Sequence, residues 1–250
     1  MSKPPKLRAD QLLVERGLAE SRSRAQALIM AGQVLAGDRP VEKAGQSLPA
    51  DAPLRLRGKD HPWVSRGGVK LASGLAHFAI SPAGLVCLDL GASTGGFTDV
   101  LLQGGAAKVY AVDVGQGQLA WSLRQDPRVV VLERCNARYL TEAQIPEPPA
   151  LVVCDASFIS LTLVLPAALA LAAPEARLIA LIKPQFEVGK GAVGKGGIVR
   201  DPAQHAAVCA KIGAFLEKDQ GWELLGMTES PITGPDGNRE FLVAAGKPRP

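Results

Sequence analysis

A single stretch, residues 86–114, constrains the fold of this chain most, and it reads VCLDLGASTGGFTDVLLQGGAAKVYAVDV. A short apolar run ends at Asp89, a glycine-rich turn and a helix-length segment follow, and a second apolar run ends at Asp113. In such a strand–loop–helix–strand unit the glycines stand where a bound ligand touches backbone. An acidic residue about 20 positions past the loop is placed to hold ribose hydroxyls. The alternative is an ordinary turn in an α/β sheet.

The spacing of the loop excludes a dinucleotide fingerprint, because GASTGG lacks the G-x-G-x-x-G pattern. The arrangement D-x-G-x-x-x-G-G followed by V-x-A-V-D resembles the S-adenosylmethionine loop of Rossmann-like methyltransferases. This resemblance implies S-adenosylmethionine as the cofactor. The residues expected to contact it are Asp89, Gly91, Ser93, Thr94, Gly95, Gly96, Phe97, Asp113, Asn136 and Asp155.

Apolar runs of strand length recur through the rest of the chain and alternate with helix-length segments. They cover residues 86–90, 108–112, 129–132, 151–154, 178–182, 224–228 and 240–245. The alternation predicts an α/β fold with a doubly wound, mostly parallel, seven-stranded sheet that binds ligands at the carboxyl ends of its strands. Asp155 and Lys183 follow the fourth and fifth runs, and Asn136 follows the third, at the expected adenine edge.

The excess positive charge of the chain lies in its first quarter. Residues 1–60 hold 11 Lys and Arg against 7 Asp and Glu, whereas residues 61–250 hold 17 of each. A basic module beside a neutral one predicts a polyanion partner for the first. A helix is expected within residues 7–15, and a second from an N-cap at Ser21 through Met30. Short strands are expected at 33–35, 41–42 and 54–56.

The second helix carries two arginines in its first turn, Arg22 and Arg24, where cations oppose the helix dipole. Phosphate binding explains them, because helix N-termini and arginine both favour phosphate oxygens. The order LRADQLLVERGL, SRSRA and LI-x-x-G-x-V closely resembles the RNA-binding domain of ribosomal small-subunit protein S4. The alternative is a solvated basic face. The residues predicted to bind RNA are Arg8, Arg16, Arg22, Arg24, Arg66, Lys190 and Lys195.

Two of those lysines lie in a glycine-rich loop, GKGAVGKGG, over residues 189–197. The loop does not fit a phosphate-binding P-loop, because Gly196 stands where the hydroxyl residue should be. We interpret it as a basic loop over the active site that grips RNA, with a plain surface loop as the alternative. The predicted parts of the chain are an RNA-binding domain over 1–58, a linker over 59–65 and a catalytic domain over 66–250.

Four residues match, one by one, the Lys-Asp-Lys-Glu tetrad of FtsJ-like ribose 2′-O-methyltransferases: Lys70, Asp155, Lys183 and Glu240. With the N-terminal domain included, the whole chain resembles the TlyA family of ribosomal RNA methyltransferases. The resemblance implies methyl transfer to a ribose 2′-hydroxyl of ribosomal RNA, on a cytidine. It departs from the family at the linker, where a basic residue usually precedes Trp-Val and this chain has His61-Pro62.

The chemistry suits these residues, because a ribose 2′-hydroxyl is a poor nucleophile at neutral pH. Lys183 is expected to orient that hydroxyl and accept its proton. Asp155 and Glu240 are expected to hold the two lysine ammonium groups. In-line positioning of the methyl donor supplies much of the catalysis, and no metal is required.

Four other interpretations compete with this one. A base methyltransferase would use Cys154 as nucleophile, but that residue follows a buried strand sequence. An amino-group methyltransferase favours Asp/Asn-Pro-Pro-Tyr, whereas residues 155–158 read DASF. A non-catalytic RNA-binding or ribosome assembly factor would have lost the tetrad. Members of the family are also named hemolysins. That name suggests a pore-forming protein, but no segment of this sequence predicts export or a membrane span.

No segment of this sequence predicts export or membrane insertion. The start, MSKPPKLRADQ, lacks the apolar segment of a secretory signal. The longest apolar stretch, 158–173, falls short of the roughly 20 residues of a membrane span and contains Pro166, so we expect a buried strand-to-helix segment. The four cysteines are widely spaced, which indicates reduced thiols rather than disulfides or a zinc site. We therefore expect a cytoplasmic protein.

Overall fold

The fold is taken from a computed structural model that describes residues 5–19, 21–56, 61–189, 193–194 and 196–248. The chain forms two compact units, Met1–Pro62 and Trp63–Pro250. Each unit has its own hydrophobic core. Residues 59 and 60 of the predicted linker lie outside the described residues.

The first unit is a small α+β fold. Its described elements are β1 (Lys6–Arg8), α1 (Ala9–Glu15), α2 (Arg22–Met30), β2 (Val34–Ala36), β3 (Arg39–Pro40), β4 (Ser47–Pro49) and β5 (Leu54–Leu56). Strands β1 and β4 pair antiparallel, and β2 lies between β3 and β5 in a second antiparallel sheet. The two helices contribute fully buried Leu13 and Ala25 to a core that also holds Val34 of β2.

The second helix forms as predicted, because the Ser21 hydroxyl accepts a hydrogen bond from the Arg24 amide at 3.2 Å and caps its first turn. The strand predicted at 41–42 is wrong by two residues, since β3 lies at Arg39–Pro40. Val41 follows it, buried, with its amide bonded to the carbonyl of Val34. Strands β1 and β4 have no apolar alternation long enough to predict them.

The second unit is an α/β fold with helices on both faces of one sheet. Its described elements are α3 (Gly67–His77), β6 (Val86–Leu90), α4 (Gly96–Gln103), β7 (Lys108–Val112), α5 (Trp121–Arg124), β8 (Val129–Leu132), β9 (Leu151–Cys154), α6 (Leu161–Leu171), β10 (Arg177–Ile182), α7 (Pro184–Glu187), α8 (Pro202–Ala214), β11 (Glu223–Glu229) and β12 (Phe241–Gly246). A short 3₁₀ turn covers Ala137–Tyr139, and a π turn, Phe215–Asp219, continues α8.

The seven strands lie in the order β11-β12-β10-β9-β6-β7-β8. Strands β8, β7, β6, β9 and β10 are parallel, whereas β12 is antiparallel to both β10 and β11. The predicted doubly wound, mostly parallel, seven-stranded sheet is therefore confirmed. The chain leaves β6 toward β7 on one side and later returns to β9 on the other, which creates a ligand-binding crevice at their carboxyl ends.

Both faces of the sheet are buried, which explains why its strands read as continuous apolar runs. Leu88 and Leu90 of β6 face the cluster built on Leu165 of α6, and Cys87 faces the cluster built on Leu71 of α3. No helix among the described residues is long and apolar enough to span a bilayer.

The prediction of a buried segment over 158–173 is wrong at its start. Helix α6 begins only at Leu161, capped by Ser160. Phe158 is 90% exposed and takes a left-handed backbone conformation, with φ of 65°. A residue of this size rarely adopts that conformation, so the turn after β9 presents the ring to solvent.

Candidate active site

The register of the parallel strands aligns three strand ends across the crevice. Leu90, the last residue of β6, pairs with Val112 of β7 on one side and with Cys154 of β9 on the other. Each strand then continues into a functional candidate: the glycine loop after β6, Asp113 after β7 and Asp155 after β9. The two carboxylates therefore lie on either side of the loop.

The antiparallel pair at the other half of the sheet brings the remaining candidates together. Ile182 of β10 pairs with Phe241 of β12, so Lys183 follows one partner and Glu240 precedes the other. The Glu240 carboxylate accepts a hydrogen bond from Lys70 Nζ, on α3, at 2.6 Å. Both side chains are almost wholly buried, which makes this an ion pair shielded from solvent.

A second ion pair, between Lys183 and Asp155, lies at the carboxyl ends of β10 and β9. Lys183 Nζ lies 2.6 Å from Asp155 Oδ1 and donates a hydrogen bond of 2.7 Å to the Ser157 hydroxyl. The Lys183 side chain is only 9% exposed. Sequence reasoning did not single out Ser157, although its place two residues after Asp155 was a usable signal.

Three members of the tetrad line one cavity of about 300 Å³, which we call the lysine cavity: Lys70, Asp155 and Lys183. Glu240 does not line this cavity but contacts it indirectly, through its ion pair with Lys70. Arg66 and the loop that contains Ile232, Thr233 and Pro235 also line this cavity. A chamber with two ammonium groups along its wall can hold and polarise an oxygen that develops negative charge.

A second cavity, of about 350 Å³, lies at the ends of β7 and β9, and we call it the strand-end cavity. Asp113, Asn136 and Phe158 line it. Its volume is in the range of small-molecule sites, which begins near 300 Å³. The two cavities share wall residues: Gly91, Ser93, Asp155 and Ser157. A ligand in one therefore lies beside a ligand in the other.

The glycine loop between them leaves no room for side chains at its key positions. A Cβ at Gly91, whose φ is 82°, would lie 3.0 Å from Ala156 Cα, and one at Gly96 would lie 2.3 Å from Ser65 Oγ. A Cβ at Gly95, whose φ is 96°, would lie 2.2 Å from a methyl of Leu123. The close approaches at Gly91 and Gly96 are to residues that line the two cavities. The close approach at Gly95 is to Leu123, which lines neither cavity.

Asp113 fixes the loop through its backbone. Its carboxylate accepts hydrogen bonds from the Ser93 amide at 2.8 Å and from the Gly115 amide at 2.7 Å. Each carboxylate oxygen can accept more than one hydrogen bond. Asp113 is therefore oriented in the protein alone and retains acceptor capacity toward the strand-end cavity. Asn136 is exposed at the same cavity, with its Oδ1 bonded to the Arg138 amide at 3.1 Å.

The predicted cofactor residues divide between the two cavities. Thr94, Gly96 and Phe97 line the lysine cavity instead of the strand-end cavity. Asp89 differs from the other predicted cofactor residues, because it lies inside β6, is fully buried and lines neither cavity. Its Oδ2 accepts a hydrogen bond of 2.7 Å from the Thr98 hydroxyl. Burial raises the pKa of Asp89 to about 7.

Three of the four predicted RNA-binding residues of the first unit have side-chain partners within the protein. Arg8 and Arg22 bond to the Asp10 carboxylate, and Arg16 donates to the Ala52 carbonyl at 2.7 Å. Arg24 forms no ion pair with any residue in the described parts of the chain. In the second unit, Arg66 lines the lysine cavity. Two predicted residues lie outside the described residues: Lys190 and Lys195.

Cys154 is unsuited to nucleophilic attack. Its side chain is fully buried, and burial raises the pKa of the thiol to about 12. A thiol of this kind stays protonated and out of reach of a substrate. Across the described residues, no cluster of three or more His, Cys, Asp or Glu side chains could hold a metal ion.

Comparisons with known proteins match both units of the chain. A model of the FtsJ-like methyltransferase family matches residues 63–247, and a model of the S4 domain matches residues 7–52. The 16S/23S rRNA (cytidine-2′-O)-methyltransferase TlyA of Mycobacterium tuberculosis is 51% identical over 94% of this chain and 88% of its own length. Hemolysin A of Brachyspira hyodysenteriae is 39% identical over 95% of this chain and 98% of its own.

Solved structures agree with these matches. A hemolysin-named protein from Streptococcus thermophilus superposes with a TM-score of 0.76 and 43% identity, over 97% of this chain and 89% of its own. A protein from Listeria monocytogenes that is named an S-adenosylmethionine dependent methyltransferase matches at 15% identity and a TM-score of 0.53, over 74% of this chain and 100% of its own, and shares the fold alone.

Proposed function

The chain belongs to the FtsJ-like methyltransferase family, in the TlyA group that joins this domain to an S4 domain, and we propose that it methylates the ribose 2′-hydroxyl of a cytidine in ribosomal RNA. The observation that carries the proposal is the pair of lysine–carboxylate contacts at one cavity, which shares a wall of Gly91, Ser93, Asp155 and Ser157 with a second cavity. Because its proposed substrate is ribosomal RNA, we propose that the protein acts in the cytoplasm.

The strand-end cavity suits S-adenosylmethionine. Asp113 would hold the ribose hydroxyls, because its carboxylate is already fixed by two backbone amides. Asn136, which lines the same cavity, would meet the adenine edge. When bound, S-adenosylmethionine supplies a methyl group on a cationic sulfur, ready for attack by a nucleophile.

The lysine cavity suits the target ribose. Lys183 Nζ already lies within hydrogen-bond distance of an oxygen, the Ser157 hydroxyl, and the ribose hydroxyl would take an equivalent place beside it. In its neutral amine form Lys183 would accept the hydrogen bond of that hydroxyl and receive its proton as the oxygen becomes nucleophilic, which makes the side chain an ammonium group again. Asp155, whose Oδ1 lies 2.6 Å from Lys183 Nζ, would hold the lysine nitrogen at the wall that the two cavities share.

Lys70 has a different task. Its ammonium is held by the buried Glu240 carboxylate, so its position does not depend on the substrate. A fixed positive charge in a site shielded from water stabilises the negative charge that grows on the attacking oxygen. The first unit, with its basic arginines, would supply most of the affinity for RNA.

The test is methylation of purified ribosomal subunits with labelled S-adenosylmethionine, followed by alkaline digestion. Alkali cleaves RNA through the 2′-hydroxyl, so a 2′-O-methyl group leaves a resistant dinucleotide, which shows that the methyl group is on the ribose and identifies the base of that nucleotide. We expect a labelled, alkali-resistant dinucleotide that begins with cytidine. Label in alkali-sensitive mononucleotides would contradict the proposal, because it would mark a methylated base. The Lys183→Ala variant is the matched control for contaminating activity.

A further inference from the structure

Within the first unit, a single buried carboxylate organises several polar side chains. Asp10 lies in the first turn of α1 and is fully buried. Arg8 bonds to it bidentately, with Nε on Oδ1 and Nη2 on Oδ2, both at 3.0 Å. Arg22 and Gln26, from α2, each donate to Oδ2 at 3.1 Å. The backbone amide of Gln11 donates to Oδ1 at 2.9 Å.

The two arginines keep most of their donors available. The side chains of Arg8 and Arg22 are 50% and 58% exposed, so each is held at its inner edge and faces solvent at its outer edge. A guanidinium carries five N–H donors, of which Arg8 spends two on Asp10 and Arg22 spends one. Gly45 leaves space beside Arg8, since a Cβ there would lie 3.2 Å from Nη1.

The charge balance of this cluster points to an anion outside the protein. One carboxylate faces two guanidinium groups, so the surface above it keeps a net positive charge. The arginines hold the pKa of the Asp10 carboxyl well below its usual range, which keeps it ionised at physiological pH. Two fixed guanidinium groups with free outer donors match the geometry of phosphate oxygens.

We propose that Asp10 is a positioning residue for RNA binding: buried and out of reach of RNA, it holds Arg8 and Arg22 as one preformed clamp for the phosphate backbone. The inference rests on the proposed function, because it takes RNA as the partner. Preforming the clamp matters because free arginine side chains lose rotamer freedom when they bind. RNA then meets side chains that are already ordered.

The alternative is that Asp10 only joins α1 to α2. The two roles predict opposite signs for one measurement. If Asp10 were purely structural, removing its charge from a basic surface would leave RNA affinity unchanged or raise it, because RNA is a polyanion. If Asp10 positions the arginines, the same change weakens binding although the surface becomes more positive.

The experiment compares full-length wild type with Asp10→Asn and, as a matched control, Glu15→Gln, which removes an exposed negative charge from the same helix. Binding to purified ribosomal RNA is measured at several salt concentrations, and folding is checked by thermal unfolding. We expect Asp10→Asn to raise the Kd about tenfold, the scale for loss of two ordered side chains, and Glu15→Gln to leave it unchanged or lower it. In methylation assays Asp10→Asn should raise KM for RNA and leave kcat unchanged.

Two further variants separate positioning from folding. Arg22→Lys keeps the charge and the Asp10 carboxylate but loses the planar fork, and it should weaken RNA binding even if Asp10→Asn fails to fold. Adding Asp10→Asn to an Arg8→Ala, Arg22→Ala background should change affinity no further, because Asp10 acts through those two residues. A folded Asp10→Asn protein that binds RNA as tightly as wild type, or wild-type affinity in Arg22→Lys, would overturn the inference. Absence of RNA binding by wild type would overturn the proposed function with it.

Discussion

Lys183 and Asp155 form an ion pair of 2.6 Å at the wall shared by the two cavities of the second unit. Asp155 follows β9 and Lys183 follows β10, so adjacent parallel strands deliver the pair to one edge of the sheet. The contact therefore borders the proposed sites of both the methyl donor and the target ribose.

Lys183→Ala should lower kcat by roughly two or more orders of magnitude, the usual scale for loss of a general acid–base group. Lys183→Arg should fail nearly as badly, because a guanidinium does not give up its proton near neutral pH. Turnover is measured with labelled methyl donor, and Lys218→Ala, an exposed lysine, serves as the control. Near wild-type turnover in Lys183→Arg would show that the residue acts by charge and position alone.

Glu240→Gln should destabilise the second unit by about 3 kcal/mol, because it leaves the Lys70 ammonium buried without a counterion. Adding Lys70→Met should recover part of that stability, since no buried charge remains. Activity should stay low in the double variant if the fixed ammonium stabilises the reacting oxygen. Recovery of both stability and activity would assign the pair a purely structural role. Urea unfolding and methylation rates are the two measurements.

Asp113→Asn should weaken binding of S-adenosylmethionine by at least about tenfold, because an uncharged acceptor loses a charge-assisted hydrogen bond to the ligand. The side-chain amide also leaves the Ser93 or Gly115 amide facing a donor. Calorimetry with the purified protein gives the affinity. RNA binding should be unchanged, and a variant with wild-type cofactor affinity would remove Asp113 from the proposed site.

Asp89 makes the stability of the second unit depend on pH. Burial raises its pKa to about 7 in the folded protein, against about 3.9 in an unfolded chain. Between those values the folded state holds a proton that the unfolded state has lost, so the contribution of Asp89 to stability falls as pH rises and is gone above pH 7. Asp89→Asn keeps an acceptor for Thr98 and should remove this fall, which is of the order of 1 kcal/mol per pH unit.

The measurement is urea unfolding from pH 4 to 8, followed by tryptophan fluorescence. All three tryptophans lie within residues 63–250, so the signal reports the second unit alone. The free energy of unfolding should decline less steeply with pH in Asp89→Asn than in wild type. Parallel pH curves for the two proteins would mean that Asp89 is already ionised in the folded state.

Local patterns made most of the second unit predictable. Its strands are apolar because both faces of the sheet are covered, and the glycine loop carries its own spacing. The tetrad could be found by its resemblance to a family, since its members are far apart in the sequence and meet only through the strand register. The sequence could not show whether Asp89 lies inside the strand or just past its end, because the same apolar run precedes the carboxylate in both cases.

The first unit shows where prediction from sequence stops. Strands β1 and β4 are three residues each and form only because Lys6 is brought opposite Pro49 by tertiary pairing. Arg8 and Arg22 read as free cations in the sequence. Their shared carboxylate, Asp10, looks like an ordinary acidic residue of the first helical turn. Only the packing of α1 on α2 shows that the acid is buried and the cations are bound to it.

The wall shared by the two cavities also limits how the protein can vary. Gly91 and Asp155 face both chambers, so a substitution at either alters two ligand sites at once. Compensation on one side would leave the other damaged. Asn136 and Thr233 each face one chamber only. A library of single variants selected for methylation should therefore show almost no tolerance at Gly91 and Asp155 and more tolerance at Thr233, which faces one chamber and has no proposed ligand contact.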